Sequence, residues 1–386
     1  MTKAYALLST YPPTQCGLAT FSAALFANLG GPGDHVGVVR VLDEPVPDEP
    51  VPGEPLPGRV PEVAGDLVNG SAQSAAAAVD VMNGFDVAIV QHEYGIYGGP
   101  DGQDVVPLLY ALRVPSIVVL HTVLARPTTR QRAILDDIID AASAVVTMTR
   151  TARTRLLDIY GISPEKVFVI PHGSADNRVA VAPREASHPP MALTWGLLGP
   201  GKGIEHAIAA VALLRDRGRR VAYTIAGQTH PRVRARDGEA YRSLLAALAS
   251  ALGVADLVRF DPRFLPAGAL GGLIGAADVV LLPYDSLEQV TSGVLIEAVT
   301  AGKPVISTAF PHAVEMLAGG AGLLVGRQDP AAIASALDRM FTEPGLSARM
   351  SSHAADLAPQ LLWPAVALSY RDLAAAVARS YDGAVA

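Results

Sequence analysis

Residues 279–308 read VVLLPYDSLEQVTSGVLIEAVTAGKPVIST, and the punctuation inside this run decides the architecture. VVLLPY is an apolar run of strand length. DSLEQVTS is polar and loop-like, and GVLIEAVTA is a short apolar helical segment closed by Gly302, a residue type that ends helices. Pro304 then opens a second strand, PVISTAF. Strand, loop, helix and strand make one parallel βαβ unit, whose sheet must be covered by helices on both faces.

The same alternation extends along the chain. Strand candidates in the first half are AYALLS, VGVVRVL, VAIVQ, SIVVLH, AVVTMT and VFVIPH. In the second half they are MALTWGLL, VAYTIAG, VRFDPRF, VVLLPY, PVISTAF and GLLV, separated by Ala/Leu-rich helical segments. The chain has 386 residues, which exceeds one ordinary core and suits two domains. The fold class read from this pattern is α/β, with two doubly wound Rossmann-like domains. Residues 1–175 form the first, 190–362 the second, and the Pro-, Ser- and charge-rich stretch 176–189 joins them. The amphipathic segment LLWPAVALSYRDLAAAVARSY is helical, with Pro364 at a helix start or kink, and residues 363–386 are expected to return to the first domain. Between Asp43 and Pro61 lies an acidic, proline-dense run with polyproline character, expected to be an extended surface loop.

Composition narrows the function classes. Half the residues are hydrophobic and only 17% are charged, which excludes a disordered chain. A net charge of -7 argues against nucleic-acid binding, which needs a basic footprint. The one cysteine, Cys16, excludes an intrachain disulfide and fits a reducing compartment. The opening apolar run is broken early by prolines, unlike a signal peptide, and no window approaches a spanning helix, so a cytoplasmic location is expected. Arg126, Arg130, Arg132, Arg150, Arg153 and Arg155 cluster in sequence, but Asp136, Asp137 and Asp140 dilute them, so membrane contact is at most peripheral.

In open α/β sheets ligands bind beyond the carboxyl ends of the strands, and polar residues gather there. After the first strand, Gly17 precedes a helix start that can bring backbone N–H groups close to a phosphate. VAIVQ ends in His92 and Glu93, SIVVL in His121, and VFVIP in His172. In the second domain, Gly196, Gly201 and Lys202 nearly match the phosphate loop of nucleotide hydrolases. That loop requires Ser or Thr after the lysine to hold magnesium, and Gly203 stands there, which argues against an ATPase. Lys202 still offers a point charge for a diphosphate. In the opening stretch, Thr291 or Ser292 is the natural N-cap, which aims the N–H groups of Gly293 and Val294 at an anion. Glu297, more than a turn inside the helix, is placed to accept paired hydroxyls such as those of a ribose.

The combination of GxKG, LPY and E-A-V-x-A-G-K-P-V-I resembles the retaining nucleotide-sugar glycosyltransferases of the GT-B fold, glycosyltransferase family 4 (glycosyl transferases group 1), over essentially the whole chain. The resemblance implies two Rossmann-like domains facing across a cleft. It implies that Glu297 binds the nucleotide ribose and that Lys202 neutralises the donor diphosphate. Ser292, Gly293 and Val294 match the helix start that faces the phosphates, and Gly17 matches the first-domain loop on the diphosphate's other side. His121 matches a histidine near the donor sugar, and Arg263 and Phe264 fall near the base. Two positions depart from the family pattern: Leu197 stands where an arginine is common, and Gln289 replaces the first glutamate of a pair. Both resemble a subgroup with YPP-x-x-CG-x-ATF (Tyr11–Phe21), QHE-[YF]-G-I (Gln91–Ile96) and G-x-THP (Gly227–Pro231).

The implied reaction moves a sugar from a UDP- or GDP-sugar to a small-molecule, glycan or glycolipid hydroxyl, with anomeric configuration retained. His92, Glu93, His121 and Gln289 orient the reactants, and Lys202 with the Ser292 helix start and the Gly17 loop stabilises the leaving group. No cofactor or metal is required by this scheme, and the chain carries no Asp-x-Asp motif. Two other readings fit parts of the pattern: a nucleotide-sugar epimerase on the same fold, and a catalytically silent nucleotide- or sugar-binding partner consistent with Leu197 and Gln289.

Overall fold

A computed structural model describes residues 3–45, 62–178 and 189–385. Most of the proline-dense run Asp43–Pro61 and most of the 176–189 linker therefore lie outside the described residues. The chain forms two compact units, Met1–Gly173 with Trp363–Ala386, and Ser174–Leu362.

Among its described residues the first unit holds a seven-stranded sheet. The strands are β1 (Ala4–Ser9), β2 (His35–Leu42), β3 (Val63–Val68), β4 (Val87–His92), β5 (Ser116–Leu120), β6 (Ala144–Thr147) and β7 (Val167–Val169). All are parallel, in the spatial order β3-β2-β1-β4-β5-β6-β7. Every residue of β4, β5 and β6 is buried, as a sheet covered on both faces demands. β3 is a strand that apolar periodicity misses, because Gly65 and Asp66 interrupt VAGDLV. It forms through pairing instead. Arg40 on β2, 6% exposed, lies in register with Asp66, and their side chains make a 2.9 Å ion pair. Leaving that guanidinium unpaired in the interior would be strongly destabilising.

Helix Trp363–Val385 belongs to the first unit's core. Trp363, Val366, Ala367, Tyr370, Leu373, Ala374, Val377 and Ala378 recur at helical spacing and pack with Phe21, Leu25 and Leu29 of helix Gly17–Leu29. Pro364 sits in the first turn, where a missing N–H leaves no bond unmade. Gly173 lies so close to the Trp363 ring that a Cβ there would overlap it.

The second unit repeats the plan with β8 (Met191–Trp195), β9 (Ala222–Ala226), β10 (Val258–Asp261), β11 (Val279–Leu282), β12 (Val305–Thr308) and β13 (Gly322–Val325). Their order is β10-β9-β8-β11-β12-β13, again all parallel. Two buried clusters, one on each face, contain Tyr223, Ile225 and Leu281 on one side and Leu193, Leu282 and Phe310 on the other. In both sheets the strand order reverses beside the unit's first strand, between β1 and β4 and between β8 and β11. Loops leaving neighbouring strands at such a point diverge to opposite faces and open a crevice between them.

Candidate functional site

The loops that follow β8 and β11 border an open cavity of about 340 Å³ lined by Pro200, Gly201, Lys202, Asp285, Ser286 and Gln289. It therefore sits at the topological switch point of the second sheet. Two predicted residues distant in sequence, Lys202 and Gln289, meet on its wall. The loops are tied by the Asp285 N–H donating to the Gly201 carbonyl at 2.9 Å. Ser286 Oγ accepts the N–H groups of Glu288 (3.2 Å) and Gln289 (3.1 Å), which turns the chain toward the cavity at Gln289.

Lys202 is a half-buried turn residue. Its Nζ lies 4.2 Å from the centroid of the Tyr284 ring, whose own side chain is 1% exposed. Burial brings the ammonium pKa down to about 8. A cation held over an aromatic face with little water around it is a poised anion receptor. Gly203 stands in αL conformation (φ +63°), and a Cβ there would overlap the Pro283 carbonyl oxygen. The residue after the lysine is thus glycine for a packing reason, and no hydroxyl can occupy the position a phosphate loop would use for magnesium.

Helix Gly293–Thr300 begins at Ser292, whose side chain accepts the Leu295 N–H at 3.3 Å. Of the two caps the sequence allows, Ser292 is the one used; the Thr291 hydroxyl is buried without a hydrogen-bond partner. The N–H groups of Gly293 and Val294 belong to the first turn, where no intrahelical acceptor exists. Gly196, at the end of β8, packs directly against Val294, so the glycine loop and this helix start lie side by side. His312, 1% exposed, accepts the Ser292 N–H on ring Nδ1 at 2.8 Å, while its backbone N–H donates to the Gln289 carbonyl at 3.4 Å. One residue, through its ring at Ser292 and its backbone at Gln289, thus braces both ends of the loop.

Glu297 lies one turn further on, between Ile296 and Ala298, both fully buried. Its Oε2 accepts the Trp195 indole N–H at 2.8 Å. Burial pushes the carboxyl above the usual range, and the Trp195 bond works in the opposite direction by favouring the anion. Tyr284, with Lys202 over its ring, is within electrostatic reach of Glu297, whose charge adds to burial in raising the phenol.

Arg263, which the family resemblance puts near the base, makes a local ion pair. Its guanidinium clamps Asp261 at 2.8 and 2.6 Å on an exposed turn, and it does not line the cavity. Phe264 beside it is 40% exposed. Glu205, His206 and Asp285 form the one group with metal-ligand spacing among the described residues. Its members already have protein contacts: Glu205 accepts the Tyr241 hydroxyl at 2.7 Å, and His206 and Asp285 face each other at 3.7 Å.

In the first unit the predicted residues gather around Phe21. Its ring makes edge contacts with His121 (4.9 Å), His172 (5.0 Å) and Trp363 (5.0 Å). His121 Nε2 bonds the Gln91 side-chain oxygen at 2.8 Å, so Nε2 is the donor and Nδ1 is left as acceptor. Burial, with His172 and His92 nearby, brings His121 down to about 3. A group that titrates there is a weak proton acceptor at neutral pH, so what the ring can offer is a hydrogen bond. Glu93 holds the Thr122 hydroxyl at 2.5 Å and the Tyr94 N–H at 3.1 Å. His92 is fully buried, both ring nitrogens are without hydrogen-bond partners, and burial alone lowers it to about 4. The expectation that His92 touches a ligand does not fit this burial; it stands behind His121, accepting that residue's N–H on its carbonyl at 3.0 Å. His172 organises its own turn, with Nδ1 2.7 Å from the Gly173 oxygen. Gly17 opens its helix after Cys16, whose sulfur caps the Ala19 N–H at 3.4 Å, and a Cβ on Gly17 would meet nothing within 4 Å.

The clustered arginines are largely engaged. Arg155 donates to the Val123 carbonyl (2.8 Å), Arg153 to Val167 (3.2 Å), and Arg132 to Ile159 (2.9 Å) while lying over the Tyr160 ring. Among the described residues no helix is long and apolar enough to cross a membrane.

Two Rossmann-like units, the second carrying a half-buried lysine and a capped helix start at its switch point, define a protein of the GT-B class. The family models Glycosyltransferase Family 4 and Glycosyl transferases group 1 match residues 17–178 and 179–356 in turn. The chain belongs to this glycosyltransferase family. It is 32% identical over 298 residues to a D-inositol 3-phosphate glycosyltransferase of Streptomyces bingchenggensis, a match covering 70% of this chain and 63% of that protein's length. Among solved structures, Anabaena HepE in complex with UDP superposes with a TM-score of 0.74 at 18% identity, covering 97% of this chain and all of that one. Sucrose-phosphate synthase from Thermosynechococcus elongatus gives 0.74 at 20% identity with the same coverage.

Asp285 and Ser286 belong to the quoted stretch but carry no motif of their own. Their position directly after a strand at the sheet's midpoint was the available signal. Trp195 and His312 offer no local signal, since their partners lie 102 and 20 positions away.

Proposed function

We propose that this protein is a retaining glycosyltransferase that moves a sugar from a nucleoside diphosphate sugar to a hydroxyl acceptor. The observation that carries the reading is Lys202, a half-buried cation on the wall of a switch-point cavity that Gln289 also lines. In the transfer, the bond from the anomeric carbon to the diphosphate oxygen breaks while the acceptor oxygen bonds the same face. The acceptor proton passes to the departing phosphate oxygen, so no protein nucleophile is needed. Charge builds on the leaving diphosphate, and stabilising it is the protein's main task. Lys202 supplies the charge, the Gly293 and Val294 N–H groups supply dipoles, and Glu297 takes the ribose hydroxyls. Gln289 faces the sugar with a group that accepts and donates hydrogen bonds and adds no negative charge beside the phosphates. In the first unit Gly17, His121 and Glu93 carry the roles the family pattern gives them, His121 as a neutral hydrogen-bonding group. No metal enters this scheme.

The UDP bound to HepE makes UDP-sugars the first donors to try, with GDP-sugars beside them. The inositol 3-phosphate of the Streptomyces relative is the first acceptor. The deciding experiment is a donor panel with anomeric configuration read by NMR. Product of retained configuration is expected, and Lys202→Ala should lower turnover by about 100-fold or more, the scale of losing one preorganised donor to a developing charge. Inverted product would exclude this mechanism. Nucleotide binding with neither transfer nor donor hydrolysis would mark a silent partner, and donor isomerisation without acceptor would mark an epimerase.

A further inference from the structure

We infer that Trp195 is a positioning residue for nucleotide recognition: its indole N–H sets the plane of the Glu297 carboxylate so that both ribose hydroxyls are met together. The inference rests on the reading of Glu297 as the ribose acceptor.

Trp195 is the last residue of β8 and is 4% exposed. Glu297 is on helix Gly293–Thr300, whose Leu295, Ile296, Ala298 and Val299 are fully buried. A carboxylate in such surroundings needs a donor, and the Trp195 N–H, 2.8 Å from Oε2, is one. Two features make this donor more than a filler of hydrogen-bonding capacity. An indole N–H can donate but never accept, so it binds the ionised carboxylate and offers nothing to a carboxylic O–H. The last torsion of a glutamate is also the broadest, so an unanchored carboxylate samples many planes. A diol must place two hydrogens on lone pairs at once, and anchoring Oε2 removes the orientations in which only one can be satisfied. The anchor lies on the central strand of the sheet, beside Gly196, where the backbone is packed against Val294. The strand that leads into the Lys202 loop thus also holds the ribose acceptor, coupling recognition of the diphosphate to recognition of the nucleoside.

The test is calorimetric binding of UDP and GDP, each against its 2′,3′-dideoxy counterpart. The proteins are wild type, Trp195→Phe, Glu297→Ala, and a version in which isosteric benzothienylalanine replaces the tryptophan, deleting only the donor. Wild type should prefer the ribose nucleotide. Both Trp195 replacements should weaken ribose nucleotides about tenfold, the scale of a charge-assisted hydrogen bond, while leaving dideoxy nucleotides nearly unchanged. A purely structural role for Trp195 would weaken both kinds alike, and that result overturns the inference. So does unaltered ribose preference in the benzothienylalanine protein while Glu297→Ala loses it; the ribose reading of Glu297 then stands alone. If Glu297→Ala binds like wild type, or wild type binds neither nucleotide, the underlying reading fails and this inference with it.

Discussion

Lys202 combines partial burial with the charge that the proposed transfer needs, and its titration exposes that tension. With a pKa of about 8, the free protein carries the ammonium at neutral pH and loses it as pH rises through that value. A bound diphosphate favours the charged form, so binding above pH 8 must take up a proton. Nucleoside diphosphate affinity is therefore expected to hold steady below about pH 7.5 and to fall toward tenfold per unit above the lysine's pKa. Carboxylates and imidazoles of ordinary pKa have finished titrating in that window, burial has raised Tyr284 beyond it, and the comparison with Lys202→Ala separates the lysine from Glu297, whose carboxyl burial also raises. Calorimetry at pH 9 in buffers of different ionisation enthalpy should show proton uptake in wild type and none in Lys202→Ala. A flat wild-type profile would remove Lys202 from the diphosphate site. At this scale much was legible. The GPGKG loop marks Lys202 without any fold, and the loop after LPY marks Gln289. What the sequence could not say is why Gly203 follows, since the Pro283 carbonyl that excludes a side chain there is 80 residues away. His92 misled for the opposite reason: a histidine at a strand end has the same appearance whether its ring faces a ligand or the interior.

The helix Gly293–Thr300 shows what is readable one level up. Gly302 and Pro304 delimit it in any sequence, but Thr291 and Ser292 were equally good caps until the backbone placed Ser292 Oγ on the Leu295 N–H. Ser292→Ala should destabilise the second unit by about 1 kcal/mol, the usual consequence of losing a cap, and weaken diphosphate binding at the same helix end. Thr291→Ala removes a hydroxyl that caps nothing and lacks a hydrogen-bond partner, so it should be nearly neutral or slightly stabilising. Urea unfolding of the two variants decides the matter, and equal losses would refute the cap assignment. The bracing of this loop by His312 was invisible beforehand, because the ring arrives from the helix after β12. β3 was invisible for a related reason. Its Asp66 contradicts an apolar strand pattern, and only the in-register Arg40 explains why an acid belongs there.

For the molecule as a whole, the parallel α/β plan was readable because strands buried on both faces become continuous apolar runs. The return of the final helix was readable from its amphipathic spacing, although the tight seat of Trp363 on Gly173 was not. That return makes the first unit discontinuous in sequence, and its stability should depend on the chain's last segment. Removing residues 363–386 strips Trp363, Val366, Tyr370, Leu373 and Val377 from a core shared with Phe21, Leu25 and Leu29. Each buried side chain of this size contributes about 1.5–3 kcal/mol, so together they rival the roughly 5–15 kcal/mol that holds a whole domain folded. The second unit keeps both of its own clusters when that helix is removed. Limited proteolysis of the shortened chain should therefore leave a protected fragment from the second unit alone, whereas the full chain protects both. Thermal unfolding should show one transition after truncation, and nucleotide binding by the second unit should survive it. A shortened chain that still protects residues 3–173 would show that the first unit's core closes without the returning helix.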